Sequence, residues 1–206
     1  MSAAQDASSA ELDETDRARA DLYTLLARLY YAGPDAELLQ LIVKAGAEIG
    51  TPGGSPLVDA WKTLTDVAVI TDPAAAQQDY DDLFVGIGRA EISPYATHYL
   101  AETGREKILV LLREELSALG LSRKQTSLEP EDHYAGLFDV MRHLVQRGSS
   151  DVALQDQRRF FGRYLEPSYP AFCRAVEKSG YAEFYGPVAA LTRAFLDIES
   201  QALQMA

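Results

Sequence analysis

Residues 22–29 read Leu22-Tyr23-Thr24-Leu25-Leu26-Ala27-Arg28-Leu29, and the four leucines fall at i, i+3, i+4 and i+7. That spacing gathers apolar side chains on one stripe of an α-helix, so the stretch predicts an amphipathic helix from about Leu12 to Tyr31. The same period recurs outward. Leu38, Leu41, Ile42, Ala45 and Ile49 predict a second helix, opening after Gly33-Pro34 and closing at Gly50, before the turn-rich Thr51-Pro52-Gly53-Gly54. Ser55-Pro56 and Asp72-Pro73 each pair a capping side chain with proline at the first helical position. The first predicts a helix carrying Leu57, Trp61, Leu64 and Ala68; the second predicts one running towards Phe84. Gly86 to Thr103 reads as the main irregular segment. Helicity resumes after Gly104 and stops at Gly120, and Glu129-Pro130 predicts the next start, with the stripe Leu137, Val140, Met141 and Leu144. A helix around Leu154 to Leu165, a break at Pro167, a shorter helix from about Pro170 to Lys178 and a last one from Ala182 to Met205 complete the chain. The last carries Phe184, Val188, Leu191, Phe195, Ile198 and Ala202. No segment sustains the two-residue alternation of a strand. The pattern predicts an all-α fold. It consists of a flexible tail of small and acidic residues over 1–10 and a single-domain bundle of about eight to ten helices over 11–206.

Composition narrows the function. Of 206 residues, 47% are hydrophobic and 24% charged, which suits one globular domain with a core. Thirty-one acidic residues against 19 basic ones give a net charge of −12. Such a chain is a poor non-specific partner for nucleic acid, whose binding depends on neutralising phosphates. The same charge favours an arginine-rich peptide. The single cysteine, Cys173, excludes an internal disulfide framework and a multi-cysteine metal site, and it fits a reducing compartment. Met1 to Ala20 lacks the basic and apolar regions of a secretory signal. No stretch approaches the roughly 18 apolar residues of a membrane span. These features predict a cytoplasmic protein without membrane insertion.

The stretch richest in chemistry is Glu129-Pro130-Glu131-Asp132-His133. One reading is ordinary helix-start chemistry: proline at the first position, acids beside the positive end of the dipole, and His133 heading the apolar stripe. The other is an adjacent carboxylate and imidazole, where a loop enters a helix, holding a polar ligand by hydrogen bonds. Both readings stand on the residues alone. An enzymatic alternative is a helical metal-dependent hydrolase using Asp132, His133 and His143. Ten residues of helix turn through roughly 1000 degrees, which places the two histidines on different faces and weighs against it. Asp139 and His143 read as a surface ion pair. Gly86-Ile87-Gly88 lacks the third glycine and preceding strand of a dinucleotide loop, and no Walker-type lysine follows. No catalytic residue, metal or cofactor is expected. Arg158-Arg159 lies inside a helical segment and reads as structural or as an electrostatic contact to a larger partner.

The five-residue run resembles the characteristic motif of the TorD/DmsD/NarJ-type redox-enzyme maturation chaperones. Tyr80-Asp81-Asp82-Leu83-Phe84-Val85-Gly86 is similar to that family's aromatic-leucine-phenylalanine segment. Pro94-Tyr95-Ala96-Thr97-His98 resembles its proline-aromatic segment, and Phe160 to Pro167 its late aromatic one. The resemblance runs from about Leu22 to Leu203, with Tyr80 and Tyr95 standing where some members carry tryptophan. It implies a non-catalytic helical chaperone that binds the twin-arginine signal peptide and apo-form of a molybdopterin-dependent oxidoreductase subunit. Such a chaperone assists cofactor insertion and delays export. Implied clients are formate dehydrogenase, dimethyl-sulfoxide-type reductases and related respiratory enzymes. The peptide-binding residues carried over are Tyr80, Leu83, Phe84, Pro94, Tyr95, Glu129, Asp132 and His133. Carboxylates accept guanidinium forks, and aromatic and leucine side chains make a groove for the apolar stretch that follows them. Asp79, Asp81, Asp82 and Glu91 flank the aromatic cluster, with Arg89 opposing them. A monomer is expected, with the loop around Gly120 to Leu128 as a hinge for an exchanged dimer. A general helical adaptor without a peptide groove is the remaining alternative.

Overall fold

The structure is a computed structural model that describes residues 12–47, 49, 53–86, 90–122 and 129–205. The predicted tail over 1–10, the close of the second helix at Gly50, the Ile87-Gly88-Arg89 stretch and most of the 120–128 hinge lie outside these residues.

Ten α-helices and no strand form among the described residues. Their starts follow local capping chemistry. Asp13 accepts the Asp16 N–H at 2.7 Å and opens α1, Glu14–Tyr31. Asp35 accepts the Leu38 N–H at 2.7 Å and opens α2, Ala36–Gly46. Ser55 and Asp72 cap α3, Pro56–Ile70, and α4, Pro73–Tyr80, each with proline in the first turn, as the sequence predicts. Helix α2 ends at Gly46, short of the predicted Gly50, and Gly46 lies so close against α3 that only glycine fits. A Cβ there would lie 2.1 Å from Thr65 Oγ1.

A π-helical turn, Asp81–Val85, prolongs α4 and ends at Gly86, whose φ of 61° turns the chain out of the helix. A short α5, Thr97–Leu100, interrupts the segment read as irregular. Helix α6 spans Arg105–Ala118, α7 Tyr134–Gln146 and α8 Asp151–Phe160, the last continued by a second π-helical turn, Phe161–Leu165. Helices α9, Tyr169–Lys178, and α10, Tyr185–Met205, close the bundle. The predicted start at Glu129-Pro130 is corrected: α7 begins four residues after Pro130, at Tyr134, and 129–133 forms a turn closed by His133 N–H to Pro130 O at 3.2 Å.

Helix α1 lies along α7, while α10 packs on α9 and α3. Between them sits an aromatic core. Tyr30 meets Phe84, Phe138 and Phe172 at ring-centre distances of 5.9, 5.8 and 5.2 Å, and Tyr134 stacks on Phe172 at 4.0 Å. Two of its tyrosines anchor their polar tips on α1 carbonyls, Tyr185 donating to Leu29 O at 2.7 Å and Tyr80 to Tyr31 O at 2.8 Å. The buried Tyr134 hydroxyl, by contrast, has no hydrogen-bond partner among the described residues. The α10 stripe departs from the sequence reading. Ile198 is exposed, and Leu196, Glu199 and Leu203 face inward instead. Glu199, 1% exposed, accepts Arg19 at 2.7 and 2.9 Å and the Tyr23 hydroxyl at 2.9 Å, so a charged group is buried with its partners.

Candidate functional site

Two segments that periodicity does not pair are stitched together by their backbones. Tyr134 N–H donates to Pro94 O and Ala96 N–H to Asp132 O, both at 2.9 Å, making an antiparallel bridge between Tyr95 and His133. This junction sets the side chains of the 129–133 motif. His133 is the N-cap of α7, an unusual choice: its Nδ1 accepts the Ala135 N–H at 3.2 Å. An accepting Nδ1 leaves the imidazole proton on Nε2. Burial lowers the His133 pKa against the opposing pull of Glu129 and Asp132, so the ring is neutral at neutral pH. Asp132 turns inward at 4% exposure, its Oδ2 accepting the Thr97 hydroxyl at 2.5 Å and the Thr97 N–H at 3.4 Å. Glu129 accepts the Tyr95 hydroxyl at 2.7 Å, and the Tyr95 ring meets His133 edge-on at 5.4 Å. Burial, then the bond to Glu129, raise the Tyr95 phenol pKa.

Clefts open on both sides of this junction. The larger, about 750 Å³, is lined by Glu129, Pro130 and His133 together with Arg28 and Tyr31 of α1 and Val140 and His143 of α7. The smaller, about 520 Å³, is lined by Phe84, Val85, Pro94 and Tyr95 with Glu91, His98 and Arg105. Tyr31 and Val85 are more than half exposed, so each cleft presents an apolar side chain to solvent.

The eight sequence candidates divide accordingly. Glu129 and His133 line the larger cleft; Phe84, Pro94 and Tyr95 line the smaller. Phe84 is 6% exposed and Leu83 and Tyr80 are buried in the core, so Leu83 and Tyr80 support the wall from behind. Burial pushes the Tyr80 phenol up to about 12. Asp132 holds the α5 start to the α7 start, and its carboxylate does not face either cleft.

The flanking acids are also committed. Asp79 accepts the Phe184 N–H at 2.7 Å, and Asp81 and Asp82 accept Gln77 and Gln78 at 2.9 Å. Asp139 pairs with Arg142 at 2.8 Å in place of the expected His143. Contrary to the face argument made from sequence, His133 and His143 line the same cleft, because His133 precedes the helix as its cap. Among the described residues no group of three or more His, Cys, Asp or Glu side chains is placed to hold a metal ion. Cys173 is fully buried, and burial raises its thiol pKa. Arg159 pairs with Glu115 at 2.9 Å and Asp156 at 2.7 Å, as its structural reading requires.

Sequence reasoning missed the opposite wall of the larger cleft. Its signal is a second stripe on α1, Thr24, Ala27, Arg28 and Tyr31, at i, i+3, i+4 and i+7 beside the leucine stripe. On α7, Gly136, Asp139, Val140 and His143 repeat that spacing. Two adjacent stripes on one helix mark a core face and a second, cleft-facing one.

The all-helical fold is shared by a solved structure assigned as a redox-enzyme maturation protein from Archaeoglobus fulgidus, which superposes with a TM-score of 0.55 over 85% of this chain and 92% of its own, at 18% identity. Residues 54–174, which carry the aromatic, Pro94-Tyr95 and 129–133 segments, match the family model described as nitrate reductase delta subunit. The chaperone protein TorD of Shewanella loihica is 29% identical across 93% of this chain and 97% of its own. That of Vibrio cholerae is 32% identical across 71% and 70%. The chain belongs to this TorD/NarJ-type family. No helix among the described residues is long and apolar enough to cross a membrane.

Proposed function

We propose that the protein is a cytoplasmic maturation chaperone for a molybdopterin-dependent oxidoreductase. It binds the twin-arginine leader and apo-form of the catalytic subunit, assists cofactor insertion and delays export. The observation that carries the reading is the larger cleft, where the Glu129 carboxylate and the neutral His133 stand beside exposed Tyr31 in a chain of net charge −12. A carboxylate takes a guanidinium fork by two parallel hydrogen bonds. A neutral imidazole beside it adds no repulsion to that cation. The apolar walls suit the stretch that follows the arginines. Family membership supports the same role.

The test is a titration with a labelled twin-arginine leader of a molybdenum oxidoreductase. The leader should bind, the affinity should weaken as salt rises, and a leader with both arginines changed to glutamine should bind at least about tenfold more weakly. Equal retention of the two leaders overturns the reading.

A further inference from the structure

Tyr95 stands where the two clefts meet. Its ring lines the smaller cleft, while its hydroxyl and ring edge touch Glu129 and His133, which line the larger. The backbone on either side is fixed by the bonds of Pro94 O and Ala96 N–H to the 132–134 segment of the junction. The half-buried side chain is therefore the part that can turn, from one staggered rotamer to another, without unmaking the junction. What opposes that turn is the 2.7 Å bond to Glu129, a charge-assisted one. A guanidinium offers the same carboxylate two parallel donors where the phenol offers one.

We propose that Tyr95 is a movable partition: an arginine of the leader displaces its hydroxyl from Glu129, and the two clefts become one groove for the peptide. The inference rests on the leader-binding reading above and adds an internal competitor for the arginine site. In the free chain the hydroxyl occupies the carboxylate. In the complex the guanidinium does, and the apolar stretch of the leader runs past Phe84, Val85 and Pro94. Any ligand that binds the open arrangement must overcome the bond that keeps it closed, so removing that bond strengthens binding.

Tyr95→Phe keeps the ring and removes the hydroxyl. It should bind the leader about threefold to tenfold more tightly than the parent. The gain should vanish in a Glu129→Gln background, where there is no charged site to release. Unchanged or weaker binding by Tyr95→Phe, or a gain that survives Glu129→Gln, overturns the partition. A second measurement needs no leader. Diarginine amide added to the parent chain should shift the NMR signals of the His133 ring, shift them at lower concentration in Tyr95→Phe, and leave them unmoved in Glu129→Gln. If the parent ignores the leader but shows this pattern, the proposed client is wrong and the partition stands. If the ring signals stay still in all three chains, the partition falls.

Discussion

The stretches Asp79–Phe84 and Glu129–His133 both place acids and rings at a helix end, and they do opposite things with them. In the first, every acid is turned to structure. Asp79 caps the entry to α10, Asp81 and Asp82 bind glutamines one turn back, and Tyr80, Leu83 and Phe84 are buried. In the second, the backbone is held by a distant segment, which frees the turn to sort its two outer acids differently. Asp132 is fixed inside on Thr97, while Glu129, three residues earlier, lines the larger cleft. Acidic composition alone therefore does not mark a binding surface. What separates the two stretches is whether the local helix or a remote segment satisfies the backbone, because that decides which way the side chains turn.

The contrast breaks most readily at Phe84. Its ring packs on Tyr30, Tyr80, Phe172 and Tyr185 at 5.3 to 6.3 Å, so Phe84→Ala removes the centre of the aromatic frame. The expected cost is about 3–5 kcal/mol of stability, read by chemical denaturation, with leader binding damaged as well because the ring also lines the smaller cleft. A Phe84→Ala chain that melts like the parent but no longer binds would take Phe84 out of the frame and leave it a cleft residue alone.

The two acids of the turn sharpen the comparison within five residues. Asp132→Asn leaves a buried Thr97 hydroxyl and N–H facing a neutral amide, and should cost on the order of 1–3 kcal/mol of stability while leader affinity stays near the parent's. Glu129→Gln should do the reverse, with a small change in melting temperature and a leader affinity that is weaker and less dependent on salt. The assignment is wrong if Asp132→Asn is the variant that loses binding at full stability.

These variants also show what sequence could supply. The helices were legible because their stripes and caps are local: Ser55-Pro56 and Asp72-Pro73 start α3 and α4 as read. The start of α7 was not, because the bonds that hold 129–133 out of the helix come from Pro94 and Ala96, some 35 positions away, and leave no trace in periodicity. For the same reason the bond of Asp132 to Thr97, 35 positions away, left no signal in the sequence. Both π-helical turns were invisible, since one extra residue per turn barely disturbs a short apolar pattern. The motif was readable as a site, but which of its side chains points outward was not.

The smallest expected effect concerns the histidine cap. In the folded chain, burial holds the His133 imidazole below its ordinary value near 6.5, while the unfolded chain protonates close to that value. Between the two, the unfolded state binds more protons, so the contribution of His133 to stability is present above about pH 6.5 and is lost as the pH falls through it. Structure explains the sign: protonated Nδ1 can no longer accept the Ala135 N–H, and a cation would sit at the positive end of α7. His133→Asn keeps a good capping acceptor and removes the titration. From about pH 7.5 down to about pH 5.5 the parent should lose more stability than His133→Asn, measured by urea unfolding at each pH. Other titrating groups are common to both chains and cancel in the difference. Parallel profiles would mean that His133 is not the titrating cap of α7.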